Sequence, residues 1–430
     1  MKKKINIAII GLGNIGSYFY NYVKKHKAEI IKKTGVEVNI IFVSARNRSK
    51  KRNFKIPNKI WLKNYLKATT YRNVDIIVEL IGGAEGAAKK LIFEALKNKK
   101  HVITANKALI AKHGNQLANL AEKNNVNLEY EAAVCGGIPI IRTLKEGLIA
   151  NSINKIYGIF NGTSNYILSS MDKNKLQFKE ALDNAKSLGY AESNPSSDLN
   201  GDDVASKLKI LSSLSFNSFI NNKDISIEGI NEIDQKDINN ANFLGYKIKL
   251  LGIAEFNKRK IIQRVHPCLV NKSSYIGKIN NVLNAVIVES TPLGRTVLQG
   301  PGAGAGPTCS ALVSDLCSIL RGNIKYPFVV SSKERRMLNF EDITNKLFSV
   351  YLRLDVVDKH GVLSDITKIL SKNKVSIKRL IQNPIKSKKY SSIVIITHKA
   401  KNLSISKTIV LLNKKNYLIK KTKVIRIEEI

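Results

Sequence analysis

Twelve residues near the start constrain this chain more than any other stretch. Ile5–Ile10 is a largely apolar run that fits a strand buried in a parallel sheet. Gly11-Leu-Gly-Asn-Ile-Gly16 follows at once, and a helical pattern through Tyr18, Tyr22 and Val23 comes next. A G-x-G-x-x-G loop between strand and helix uses its glycines for a tight turn, for close approach of backbone to a pyrophosphate, and for close helix–strand packing. The phosphates then sit on the helix N-terminus, where backbone N–H groups have no other partner. Gly11, Gly13, Asn14, Ile15 and Gly16 are therefore the expected cofactor contacts, in a doubly wound α/β domain.

The second strand, Glu37–Val43, runs into Ser44-Ala-Arg46-Asn-Arg48 where an NAD-selective site usually has an acid. A guanidinium there suits a 2′-phosphate, so Arg46 favours NADP, with NAD possible. A strand at Val74–Leu80 ends in Gly82-Gly83. A helix (Ala87–Lys97) and a strand (His101–Thr104) lead to Thr104-Ala-Asn-Lys107. Lys107 follows a strand end of the same sheet and should project into the cofactor crevice, although a plain surface lysine reads equally well. Leu128–Val134 is expected as a strand entering Cys135-Gly-Gly-Ile-Pro139. Gly136 and Gly137 would expose carbonyls in a tight bend, which suits a hard monovalent cation.

A helix over Ile140–Ala150 leaves this domain, and a strand (Ile153–Phe160) ends in Asn161-Gly-Thr-Ser-Asn165. Gly189–Leu214 then crowds Glu192, Asp198, Asp202 and Asp203 into a turn-rich loop of a chain short of acid. Asn200 would cap the following helix, with Asp202 and Asp203 in its first turn. Asp203, Lys207, Ile210 and Leu214 share one helical stripe, so a carboxylate and an ammonium lead an apolar face. Within this segment alone, an exposed i,i+4 ion pair reads as well as a functional one. Strands near Lys247–Ala254, Ile261–His266 and Asn284–Glu289 suggest a second α/β domain. Gln299–Thr308 is a glycine-rich loop placed before a helix, as a ligand-hugging loop would be.

Arg321–Asn345 is a charged linker without periodicity. The remainder reads strand (Ser349–Val356), helix (Val362–Ser371), two strands, helix and strand, a βαββαβ ferredoxin-like order. The chain's net charge of +38 would suit nucleic acid or an anionic membrane. Its lysines are spread evenly, however, without an arginine-rich stripe or interleaved aromatics, so neither partner is expected. Met1-Lys-Lys-Lys before Ile5 imitates a signal peptide, but the run is too short and has no cleavage site. No run approaches a membrane span, and the four cysteines have no metal-type spacing, so reduced thiols and a cytoplasmic location are expected.

Taken in order, Gly11–Gly16, Thr104–Lys107, Glu131–Pro139, Asn161–Leu168, Leu188–Glu192, Asp198–Lys207 and Gly302–Thr308 resemble a homoserine dehydrogenase with a C-terminal ACT domain. The ordered set covers nearly the full length. The resemblance implies a Rossmann-type domain at 1–133, completed by about 300–321, and an α/β substrate-binding and dimerisation domain at 134–299. It further implies a linker at 322–347 and an ACT regulatory domain at 348–430. It implies reversible interconversion of L-homoserine and L-aspartate 4-semialdehyde with NADP or NAD, on the branch to threonine, methionine and isoleucine.

Carried over residue by residue, Lys207 is the general acid/base for the substrate's C4 oxygen, and Lys107 lies near both cofactor and substrate. Glu192 and Asp203 hold the substrate, through its ammonium group, with Asp198 supporting them. Gly189 and the Gly302–Gly306 loop, with Gly304, touch the nicotinamide side. Glu131, Val134, Gly136 and Ile138 match a monovalent-cation site, expected to hold sodium mostly through backbone oxygens. A homodimer or homotetramer and a threonine effector at the ACT domain are further implications. For Lys207 to act near neutral pH its pKa must be lowered, which Lys107 would do and Asp203 would oppose.

Two departures stand out. Cys135 replaces the family's usual alanine, and His360 in Asp358-Lys-His-Gly361 replaces the usual proline of the ACT turn. Competing readings are an oxidoreductase for another amino-acid semialdehyde, a thiol aldehyde dehydrogenase using Cys135, and a non-catalytic sensor of NADP and amino acids.

Overall fold

In a computed structural model that describes residues 3–52, 54–219, 225–322, 325–384 and 390–430, the glycine loop leaves the first strand of a five-stranded parallel sheet. Met1 and Lys2 of the basic start lie outside the described residues. The elements are β1 (Lys4–Ile10), α1 (Asn14–Lys25), α2 (Lys27–Thr34), β2 (Glu37–Ser44), α3 (Lys67–Thr70), β3 (Ile76–Glu79), α4 (Ala87–Lys97), β4 (His101–Thr104), α5 (Lys107–Lys123) and β5 (Leu128–Glu129). Their order across the sheet is β2-β1-β3-β4-β5. Strand order reverses between β1 and β3, and ligands of such sheets bind outside the carboxyl ends at that reversal. The Gly11–Gly16 loop and Gly82-Gly83 flank it.

Next come α6 (Ile140–Arg142), β6 (Ser152–Ile159), α7 (Gly162–Asn174), α8 (Phe178–Ser187), α9 (Ser196–Asn200), α10 (Asp202–Ser215), β7 (Ile225–Ile227), α11 (Gln235–Phe243), β8 (Tyr246–Asn257), β9 (Lys260–Asn271), β10 (Leu283–Thr291), β11 (Gly294–Pro301) and α12 (Ala305–Leu320). β11-β10-β6-β8-β9 pair antiparallel. α12 returns to the first sheet: Cys309, Leu312, Leu316 and Ile319 share a core with Ile7, Ile9, Phe19 and Val23. The last part holds β12 (Asn339–Phe340), β13 (Leu347–Val357), α13 (Val362–Lys372), β14 (Ile377–Pro384), β15 (Tyr390–Thr397), β16 (Ala400–Lys401), α14 (Asn402–Asn413) and β17 (Lys423–Ile427), the ferredoxin-like order read from the sequence.

Several local expectations are corrected. The strand expected to Val134 stops at Glu129, and Glu131–Ala133 forms a tight turn instead. The Glu131 N–H is taken by Asp315 Oδ2 at 2.9 Å rather than by a neighbouring strand. The helix expected over Ile140–Ala150 is one α-turn, widening at Thr143–Gly147, where Leu148 N–H reaches the Thr143 carbonyl five residues back at 2.8 Å. β11 has no clear strand signal in the sequence, because its two glycines and proline weaken the pattern. The antiparallel sheet also continues into the C-terminal one: β17 pairs parallel to β9, Arg426 opposite Cys268.

Candidate active site

The site starts at the carboxyl ends of β3 and β4. Glu79 is fully buried, and its Oε1 accepts the N–H groups of Ile81 and Gly82 at 2.7 and 3.0 Å. Thr104 Oγ1 donates to Glu79 Oε2 at 2.6 Å, which ties the two strand ends together. Asn106 caps α5 by accepting Leu109 N–H at 3.1 Å and donates to the Gly83 carbonyl at 2.7 Å. Lys107, first residue of α5, is thereby aimed out of the sheet edge, and its Nζ lies 2.8 Å from Asp203 Oδ1. This half-exposed ammonium thus has a buried carboxylate as its partner.

The other half is built on the turn from β6 into α7. Asn161 caps α7 by accepting Ser164 N–H at 2.7 Å. Its Nδ2 donates to both Asp198 Oδ1 at 2.7 Å and Asp203 Oδ2 at 2.8 Å. Lys207 Nζ donates to the same Asp203 Oδ2 at 2.7 Å and to the Phe160 carbonyl at 2.6 Å. Asp203 and Lys207 are 4% and 9% exposed, so the i,i+4 pair is a buried one. The expected cap is also corrected. Asn200 ends α9, and Gly201, left-handed at φ +91°, precedes α10. Asp202 and Asp203 do lie in the first turn of α10.

Charge follows from this packing. Burial alone would raise the Asp203 carboxyl, but the Lys207 and Lys107 ammoniums outweigh it and hold it well below the usual range. Asp198 is pushed up, chiefly by burial. Burial works to lower Lys207, yet the Asp203 carboxylate prevails and its pKa lies above the ordinary lysine value. This is opposite to the lowering expected of a base near neutral pH. The physical reason is that Asp203 sits in direct contact with Lys207, whereas Lys107 reaches the opposite oxygen of that carboxylate.

Glu192 is exposed in the turn after Gly189, which is left-handed at φ +74°. Thr163 Oγ1 donates to the Tyr190 carbonyl at 2.6 Å and so moors this turn to the start of α7. Gly11 needs φ +107°, and a Cβ there would stand 2.4 Å from the Leu80 carbonyl oxygen. Gly13, by contrast, faces open space. Beside it lies a cavity of about 330 Å³, lined by Gly13, Asn14, Tyr18, Lys51, Arg52 and Phe54 among others. Arg46 is exposed after β2, and Arg48 and Arg52 lie over the Trp61 ring at 5.6 and 5.5 Å. The Gly302–Gly306 loop borders the same region, a Cβ on Gly306 falling 3.7 Å from Tyr18 Oη. This open backbone ringed by cations fits a dinucleotide.

In the 131–138 turn, the Glu131 side chain is spent on the N–H groups of Ile141 and Arg142 at 2.8 and 2.7 Å, and burial raises its pKa to about 7. The Glu131 and Ile138 carbonyls each accept one backbone N–H, from Val134 at 3.4 Å and Ile140 at 2.7 Å. Those of Val134 and Gly136 accept none among the described residues. The turn thus offers backbone oxygens rather than a carboxylate. Cys135, left-handed at φ +50°, is buried, and burial raises its thiol pKa; it accepts from Asn284 Nδ2 at 3.4 Å and has no histidine partner among the described residues.

Asn161 and the Phe160 carbonyl were absent from the expected site, although an asparagine ahead of Gly-Thr-Ser is itself a helix-cap signal. The only group of three or more potential metal-ligating side chains among the described residues, His266, Cys268 and Glu428, lies elsewhere, and Arg264 already holds its glutamate at 3.0 Å.

Known proteins are similar to this chain. A family model described as homoserine dehydrogenase matches residues 139–317, its NAD binding domain matches 11–131, and an ACT domain matches 350–413. Homoserine dehydrogenase of Neisseria gonorrhoeae is 37% identical over 437 residues, covering 100% of this chain and 99% of that one. The crystal structure of a homoserine dehydrogenase from Thiobacillus denitrificans superposes with a TM-score of 0.91 at 35% identity, over 99% of this chain and 98% of that one. A hyperthermophilic archaeal homoserine dehydrogenase in complex with NADPH gives 0.63 at 26% identity, over 75% and 100%.

Proposed function

The chain belongs to the homoserine dehydrogenases, oxidoreductases with a nicotinamide cofactor, and on that premise we propose how its own residues do the work. It interconverts L-homoserine and L-aspartate 4-semialdehyde, with NADP preferred over NAD, in the supply of threonine, methionine and isoleucine. The observation that carries the catalytic reading is the meeting of Lys107 and Lys207 on the two oxygens of buried Asp203.

Gly11–Gly16 would hold the nicotinamide cofactor, which would supply the hydride acceptor or donor for C4 of the substrate. Lys207 handles the proton on the C4 oxygen. Asp203 keeps it an ammonium in the free protein, the form that donates when the aldehyde is reduced. In the oxidative direction Lys207 must first release that proton to solvent and then accept the proton of the C4 hydroxyl, and a further positive charge nearby would favour the release. Glu192 and Asp203 take the substrate ammonium, Asp198 supports them through Asn161, and Gly189 and Gly304 border the nicotinamide. Arg46 pairs with the 2′-phosphate. The carbonyls of Glu131, Val134, Gly136 and Ile138 would hold a sodium ion, whose charge would stiffen the turn around Cys135.

No described helix is long and apolar enough to cross a membrane, and a cytoplasmic enzyme with four unpaired thiols is our reading. Exposed Tyr275, Leu293 and Val297 near β10 and β11 favour a homodimer or homotetramer. The ACT domain takes an amino-acid effector, threonine being the candidate, and activity unaffected by millimolar threonine would remove that assignment.

The deciding experiment follows reduced-nicotinamide absorbance with homoserine and each cofactor. Turnover with homoserine and a higher kcat/KM for NADP are expected; no homoserine-dependent signal overturns the reaction, and a higher value for NAD overturns the preference.

A further inference from the structure

Residues 228–237 hold four acids, Glu228, Glu232, Asp234 and Asp237, in a chain with only 33. Each is matched by a cation of the C-terminal module. Arg426 Nη1 lies 2.7 Å from Glu228 Oε1, and Lys423 Nζ is 3.4 Å from Glu232 Oε2. Arg353 Nη2 is 2.6 Å from Asp234 Oδ2, and its Nε is 2.8 Å from Asp237 Oδ1. The opposite face of this segment lies against the Leu199–Gly201 turn. Ile230 N–H donates to the Leu199 carbonyl at 2.8 Å, and Asn231 Nδ2 to Asn200 Oδ1 at 2.7 Å. A Cβ on Gly229 would stand 2.3 Å from the Leu199 carbonyl oxygen and 2.7 Å from Asn200 Cα.

That turn is the link between Asp198 and Asp203. We propose that residues 228–234 are a positioning strut, through which β13 and β17 set the Leu199–Gly201 turn and with it the Asp198–Asp203–Lys207 geometry. The strut touches no reacting atom. It acts by fixing where α9 stops and α10 starts, and misplacement of a reacting group by about 1 Å is enough to cost catalysis heavily. The inference rests on the reading of Asp203 and Lys207 given above. Spatial contact alone is not coupling, so the test is a mutant cycle on the full-length protein.

Gly229→Ala forces the Leu199 carbonyl to move and should lower kcat by about tenfold or more, with the KM for the nicotinamide cofactor unchanged. Glu228→Gln and Arg426→Gln remove one partly exposed ion pair and should each lower kcat by about two- to fivefold. The double variant should match the single ones, and all should shift the pH profile of kcat, because the Asp203–Lys207 contact changes. Lys399→Gln, which breaks an exposed pair with Glu429 in the same module, should leave kcat unchanged. The proposal is overturned if Glu228→Gln and Arg426→Gln leave kcat and its pH profile at wild-type values, if their effects multiply, or if cofactor KM moves by the same factor as kcat. Retained turnover in Lys207→Ala would instead overturn the reading of the site.

Discussion

Asn161 Nδ2 donates to Asp203 Oδ2 at 2.8 Å, joining the cap of one helix to the first turn of another 42 residues later. The same nitrogen reaches Asp198 at 2.7 Å, so one amide spaces two carboxylates. Asn161→Ala should cost about 1 kcal/mol of stability through the lost cap. It should also lower kcat by at least tenfold, since the two carboxylates would repel without a shared donor. Denaturant unfolding and steady-state kinetics on the same variant separate these effects. Stability loss with unaltered kcat would leave Asn161 as a cap only.

Lys207→Ala should lower kcat by about 10²- to 10⁴-fold, the range for a positioned proton-transfer group, while binding NADPH as before. Lys107→Ala should act more weakly, because its half-exposed ammonium supports Asp203 from the solvent side. Fluorescence titration with NADPH alongside turnover checks both. Near-normal turnover in a folded Lys207→Ala protein would remove its assigned role.

Arg46→Ala should raise the KM for NADP by roughly tenfold, consistent with loss of a charge-assisted hydrogen bond worth about 1.5 kcal/mol, and leave NAD kinetics unchanged. An equal loss with both cofactors would show that Arg46 does not read the 2′-phosphate.

Lys249 gives a pH dependence with a defined sign. It is buried on β8, donates to Asn165 Oδ1 and Asn280 Oδ1 at 3.1 and 3.2 Å and to the Ile279 carbonyl, and burial lowers its pKa from 10.5 to about 7. Between those values the unfolded chain binds a proton that the folded chain does not. Stability therefore rises with pH across this window, by at most about 1.4 kcal/mol per pH unit, and is lost as pH falls through the folded value. Relative to Lys249→Met, the wild-type protein should gain stability between pH 7 and 9 in denaturant titrations. Parallel slopes would show that Lys249 stays charged when buried.

The first sheet was largely legible because its signals are local. A strand entering Gly11–Gly16 has few conformations open to it, since Gly11 requires a left-handed backbone tight against Leu80. Asp203, Lys207, Ile210 and Leu214 declared their shared stripe by spacing alone, and all four are buried. The short β5 was not legible, because what ends it is Asp315, 184 residues away.

By itself, then, the sequence determined the strand–glycine–helix start, the acid and lysine one turn apart on α10, and the βαββαβ order of the tail. Sterics and periodicity act within a few residues and need no partner. Tertiary structure alone decided that Lys107 and Asn161 meet Asp203, that Lys207 holds its proton tightly, and that β17 extends the sheet of β9. Each depends on which distant segments share a buried, water-poor space, where one contacting charge outweighs burial itself.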